Sequence, residues 1–184
     1  MKHKLQFKNK YFFVIFLLGF ISCKTTDEKP TELPPITSEG KGTFGCRING
    51  EIFMPTGFKG DLDKEYYTWK LSPEFYGTFV VTAWRSGENG KLESCQISHP
   101  KIYGTGTYYI LPKKEIIDTS GYGSCHFRNN FFTFKTAIGS GKIKISRYDT
   151  IARIISGTFD FWTCNENNIN DTAFVTDGRF DVKY

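Results

Sequence analysis

The sequence predicts an all-β domain: a single antiparallel β-sandwich of about nine to eleven strands, with a closed up-and-down barrel of the lipocalin type as the alternative. Three observations carry this expectation. Residues 41–184 are rich in Phe, Tyr, Ile, Thr and Gly, whereas alanine occurs there only at Ala83, Ala137, Ala152 and Ala173, and no leucine follows Leu111. β-branched and aromatic side chains fit a pleated, half-buried surface, while Ala and Leu favour helices. The third is strict alternation near the end: Ile155, Phe159 and Phe161 share one face, and Ser156, Thr158 and Asp160 share the other.

The strands follow in order. Thr43–Phe53 reads as two short strands joined at Asn49-Gly50, a pair that tolerates positive φ at both central positions of a type I′ turn. Glu74–Trp84 alternates loosely and ends at the turn cluster Ser86–Gly90. Leu92–Ser98 and Thr105–Leu111 are short candidates, the second stopped by Pro112. Lys113–Asp118 is a helical turn or loop; Cys125–Phe134 and Lys142–Tyr148 are strands. Asn165–Asp171 is a polar turn. Beyond it Phe174, Thr176, Gly178, Phe180, Val182 and Tyr184 alternate against Asp177, Arg179, Asp181 and Lys183, which predicts a closing hairpin of two long strands.

The chain opens differently. Lys2, Lys4, Lys8 and Lys10 precede an uncharged run from Tyr11 to Ile21, and Ser22-Cys23 follows. A basic start, a short apolar run and a small residue form a secretory signal. The run falls well short of the ~20 residues needed to span a bilayer. Residues 1–22 are therefore expected to be a signal peptide, and the placement of Cys23 resembles the lipobox of bacterial lipoproteins, where the thiol takes a diacylglycerol and becomes the N-terminus. Phe20 and Ile21 depart from the usual residues of that box. Two or more acyl chains hold a protein stably at a membrane. Residues 23–40, with Pro30, Pro34, Pro35 and four threonines, read as a flexible tether reaching about 50 Å if extended. Asp27-Glu28 resembles the acidic signal that sends some Bacteroidetes lipoproteins to the outer surface. Residues 41–184 then form one domain, lipid-anchored at the outer membrane, periplasmic or surface-facing.

The formal charge of +5 falls to +1 once the four signal lysines are removed, so no electrostatic case exists for binding nucleic acid. Cys46, Cys95, Cys125 and Cys164 remain, an even count that suggests two disulfides in an exported chain, with three connectivities open and about 2–4 kcal/mol of stabilisation in each. Buried thiols are the competing state.

Candidate chemistry is sparse. Cys95 with His99, and Cys125 with His126, offer soft zinc donors, but neighbours on a strand point to opposite faces. Asp61, Asp63 and Glu65 alternate as calcium loops do, without the glycine and terminal acid such loops need. No nucleophile elbow, zincin helix or phosphate-cradling loop occurs, and nothing selects two acids as a glycosidase pair. No catalytic residue, metal or cofactor is expected. The remaining signal is aromatic, with Phe, Trp and Tyr making up 17% of the chain. Trp69, Tyr76, Trp84 and Tyr108 are the candidate ligand platform.

Gly45–Gly50, Ile154–Phe161 and Thr176–Asp181 resemble segments of small Bacteroidetes lipoproteins of unknown function. The resemblance implies an exported β-rich domain and supplies no site residues. Together these readings describe a monomeric, non-catalytic envelope module that binds a glycan or an envelope protein. A glycan-directed hydrolase and a carrier of a small apolar ligand are the alternatives.

Overall fold

The computed structural model describes residues 30–55, 67–72, 78–86, 92–111, 121–127, 130–133, 139–165 and 167–184. The signal segment, Cys23, Tyr76, the acidic stretch Asp61–Glu65 and the segment Lys113–Asp118 lie outside them. Eleven strands occur: β1 Thr43–Ile48, β2 Glu51–Phe53, β3 Tyr67–Ser72, β4 Thr78–Ser86, β5 Leu92–His99, β6 Gly106–Ile110, β7 Tyr122–Phe127, β8 Asn130–Thr133, β9 Gly139–Asp149, β10 Ile154–Asn165 and β11 Asn168–Lys183. All named strand pairs are antiparallel.

One layer runs β2-β1-β11-β10-β9-β6, and the other runs β8-β7-β5-β4-β3. β10 joins them. It pairs with β9 as far as Thr163, then its last residues, Cys164 and Asn165, pair with β8. The two layers face each other across a single core. Phe79 of β4 meets Phe180 of β11 with ring centroids 5.2 Å apart, and Phe44, Phe159, Phe161, Ile97, Ile143 and Val182 fill the space around them. The arrangement is a β-sandwich, not a closed barrel, because the end strands β2 and β3 each have one partner.

Several sequence expectations meet their physical cause here. Asn49 and Gly50 have φ of 50° and 84°, as the β1–β2 turn requires. Asn49 also bonds β11: its amide donates to the Phe174 carbonyl, and its side-chain oxygen accepts from the Phe174 amide. The expected strand Cys125–Phe134 is instead two strands, β7 and β8. The alternation expected through Phe174–Tyr184 changes phase. Two residues of β1 or β10 span three of β11 around Asp177, whose φ is 53°. This bulge shifts the side-chain phase. Gly178, Phe180 and Val182 face the core, whereas on the other side of the bulge Ala173 and Val175 do so and Phe174 emerges 55% exposed.

The larger difference lies before β1. Composition makes the segment up to Gly40 a solvated tether, yet its last part is bound to the domain. Asp181, on the outer side of β11 and 1% exposed, accepts five hydrogen bonds: from the Thr37 and Ser156 hydroxyls and from the amides of Glu39, Gly40 and Lys41. Arg147 of β9 donates to the Ser38 carbonyl and Arg179 to that of Pro34. Pro34 and Leu33 lie against Gly45, where an added Cβ would sit 2.7 Å from the Pro34 ring. A segment with little apolar surface is thus held chiefly by one carboxylate, with Arg147, Arg179 and the Leu33–Pro34 contact beside it.

Burial alone would raise the Asp181 carboxyl's pKa; the Ser156 and Thr37 hydroxyls and the Glu39 and Gly40 amides outweigh burial and hold it well below the usual carboxylate range. Because the folded value is depressed, the stabilisation is fully present above the unfolded value of about 3.9 and is lost as pH falls below it. Asp181→Ala is expected to cost on the order of 3 kcal/mol in denaturant unfolding. Asp181→Asn should flatten the pH dependence of the melting temperature between about pH 5 and pH 2. A chain beginning at Gly42 should melt several degrees below one beginning at Thr31, roughly 2–4 °C for each kcal/mol lost.

Candidate ligand-binding face

Strands β4, β5 and β7 stand in continuous register, so every second residue shares a face. The inward set is Phe79, Val81, Ala83 and Arg85; then Glu93, Cys95, Ile97 and His99; then Gly123 and Cys125. Three rows of the outward set cross all three strands: Trp84, Ser94 and His126; Thr82, Gln96 and Ser124; Val80, Ser98 and Tyr122. None of these nine carries a carboxylate, ammonium or guanidinium group, and eight bear a hydrogen-bonding group.

A hydrogen-bonded chain crosses the middle of this face. The Thr82 hydroxyl donates to Gln96 Oε1 at 3.2 Å, and Gln96 Nε2 donates to the Tyr122 hydroxyl. Both ends of the amide are thereby engaged, which fixes its orientation. Thr82, Ser98 and Ser124 are less than 10% exposed, while Tyr122 is 40% exposed and Trp84 is half-buried. Trp84 and Tyr122 occupy opposite corners of the rows, roughly 16 Å apart from strand spacing and rise. The outcome is a floor of hydroxyl and amide groups between two aromatic rings.

The four aromatic residues expected to form a platform do not share one surface. Trp84 belongs to the face just described, and the backbone of Trp69 pairs with that of Val81 on β3–β4. Tyr108 packs edge-on against His99, centroids 5.0 Å apart; its hydroxyl donates to the Gly104 carbonyl and accepts from the Gly104 and Tyr103 amides. Its neighbour Tyr109 points the other way and is 62% exposed. Sequence reasoning missed Tyr122, Gln96 and Thr82. Alternation would have found them only with the register of three strands, and the β5-to-β7 pairing skips β6.

The expected chemistry is distributed otherwise. His99 is 5% exposed, its Nδ1 accepts from the Lys101 amide, and burial lowers its pKa against the smaller opposing effect of that bond. Cys95 and His99 share the inner face of β5 but have different neighbours, and among the described residues no three or more metal donors come together. The four domain cysteines are all buried and form no S–S bond in this structure, contrary to the two bridges expected from their even number. Register explains part of this: Cys125 lies opposite Cys95, and Cys164 lies opposite Thr133.

Several of the described carboxylates engage structural partners. Glu93 pairs with Arg85 at 2.7 Å, with side chains 7% and 17% exposed. Arg85 also donates to the Ile52 carbonyl and lies 4.9 Å from the centre of the Phe53 ring, tying β4 to β2 of the other layer. Asp160 pairs with Lys142, and Asp149 with Arg147. No family model matches the chain, and neither a characterised protein nor a solved structure does.

Removing one member of a buried ion pair strands the other. Glu93→Ala should therefore destabilise by about 3–5 kcal/mol in chemical denaturation, while the double variant Arg85→Met with Glu93→Leu should lie much nearer the parent.

Proposed function

We propose that this chain is a lipid-anchored envelope protein whose domain is a non-catalytic binding module, and that the β4–β5–β7 face takes a neutral, hydroxyl-rich glycan. The observation that carries this reading is the uncharged outward face, with its Thr82–Gln96–Tyr122 hydrogen-bonded chain between Trp84 and Tyr122. A neutral polyol offers many hydroxyl donors and acceptors and no charge to neutralise. Hydroxyl and amide groups answer both roles, and aromatic rings cover the apolar faces of sugar rings. The pre-bonded Gln96 amide lowers the cost of ordering that face when ligand arrives. Anchoring is supported by the basic start, the short apolar run and Cys23.

The non-catalytic reading is supported by the engagement of Asp181, Glu93, Asp160 and Asp149 with neighbouring donors, since a glycosidase needs two carboxyls facing substrate. The open sandwich, in place of a closed barrel, gives less support to a carrier of an apolar ligand.

Neutral glycans, charged glycans and peptides should be screened against the mature chain. Binding is expected among neutral glycans, and Trp84→Ala or Tyr122→Ala should each weaken it at least about tenfold, or ~1.4 kcal/mol. Selective binding of peptides or acidic glycans, or full affinity in both variants, would contradict the proposed face. Cells fed labelled fatty acid should label the protein, and Cys23→Ser should abolish the label; persistence of label in the variant would remove the anchor.

A further inference from the structure

The centre of the sandwich holds a cluster of thiols. Cys46 of β1 and Cys95 of β5 come from opposite layers, both are fully buried, and their sulfurs lie 3.8 Å apart. Cys125 of β7 stands directly opposite Cys95 in the same layer and is 1% exposed.

We infer that Cys46 and Cys95 are the disulfide-forming pair of this domain, joining its two layers under oxidising conditions while Cys125 and Cys164 stay reduced. Its operation in the cell rests on the exported location proposed above. The competing Cys95–Cys125 bond is disfavoured by the ladder. Residues directly opposite on antiparallel strands hold their Cβ atoms about 4.5–5.5 Å apart. A disulfide brings them to about 3.8 Å. The Cys46–Cys95 contact runs between layers, where no strand ladder fixes the separation, and a sulfur contact already exists. Cys164 is drawn to the β8 end of β10, in register with Thr133. The bond would close a loop between residues 49 apart in sequence, including β2 to β4.

The oxidant is a disulfide of the exchange class, such as oxidised glutathione or an oxidised Cys-x-x-Cys protein. One protein thiolate attacks it, forming a mixed disulfide and expelling a thiolate. The second protein thiolate attacks the mixed disulfide at the protein sulfur and expels the other half of the oxidant. Two protein thiols have then lost two protons and two electrons, and the oxidant has become two thiols. Contact with Cys46 and burial both push the Cys95 thiol well above its ordinary pKa. Thiolate is therefore scarce in the native core, and the reaction belongs to folding, before the layers close.

The test uses the full chain carrying Cys23→Ser, which removes the fifth cysteine. It is refolded from denaturant in a buffer of oxidised and reduced glutathione, alkylated in denaturant without reductant, digested and mapped by mass spectrometry. Alkylation should fall from four thiols per chain to about two, with Cys46 and Cys95 recovered as one linked peptide pair. Cys125→Ser should keep the link, and Cys46→Ser should abolish it. Four alkylated thiols after refolding, or a link from Cys95 to Cys125 or to Cys164, would overturn the pairing. The same mapping on protein taken from its native cells separates the two claims: a link that forms in vitro but is missing there counts against export, not against the pair.

Discussion

The carboxylate of Asp181 is the constraint on which the outer side of one layer depends. It sits on β11, the strand between β1 and β10, and its five donors come from β10 and from the segment before β1. Burying a carboxylate is costly unless donors surround it. Here the donors belong to a segment too polar to fold by burial, so each side meets the other's need. The three backbone amides converge on one carboxylate within consecutive residues 39–41, with the Gly40 φ at 73°, a value that favours glycine. An added Cβ there would lie 2.8 Å from the Lys183 side chain.

This clamp bears on the lipid anchor proposed above. The chain meets Gly45 at Leu33 and Pro34, about ten residues after Cys23. About ten residues reach at most roughly 35 Å, so an acylated Cys23 would keep the domain within about its own diameter of a bilayer. The segment also attaches to the layer that contains β1, β9 and β11, whereas the β4–β5–β7 face lies on the other layer. Under the proposed function, attachment on one layer would leave the β4–β5–β7 face, on the other, turned away from the anchor.

The sequence made the class of fold legible because alternation, β-branched content and the Asn49-Gly50 turn all act locally. Legibility failed where the cause is not local. Nothing in Phe174–Tyr184 announces the bulge at Asp177, which arises from matching β11 to β1 and β10 together, so Phe174 was grouped with Phe180 although they face opposite ways. The clamp was illegible for the same reason: Asp181 and Thr37 are 144 residues apart. Of the expected platform Trp69, Tyr76, Trp84 and Tyr108, Trp84 stands on the outer face of β4 and Tyr108 turns toward His99. Neighbours on a strand point to opposite faces, so whether Tyr108 or Tyr109 emerges depends on the partner strand.

The placement of charge connects fold to function. The Arg85–Glu93 pair points inward and holds β2 of the opposite layer through the Ile52 carbonyl and the Phe53 ring. Asp181 secures the N-terminal segment; Arg147 bridges that segment and Asp149 on β9. Lys142 and Asp160 pair across β9 and β10 on the layer that carries the clamp. The three outward rows that cross β4, β5 and β7 carry no carboxylate, ammonium or guanidinium, and Thr82, Ser98 and Ser124 within them are buried, where a charge would be costly; on the β3 side Lys70 stands in register with Val80. Burial accounts for the absence of charge at those three, and Gln96 is held by Thr82 and Tyr122. The neutral, hydroxyl-rich ligand proposed above is compatible with such rows, because a charged side chain on its path would have to give up hydration without gaining a counterion.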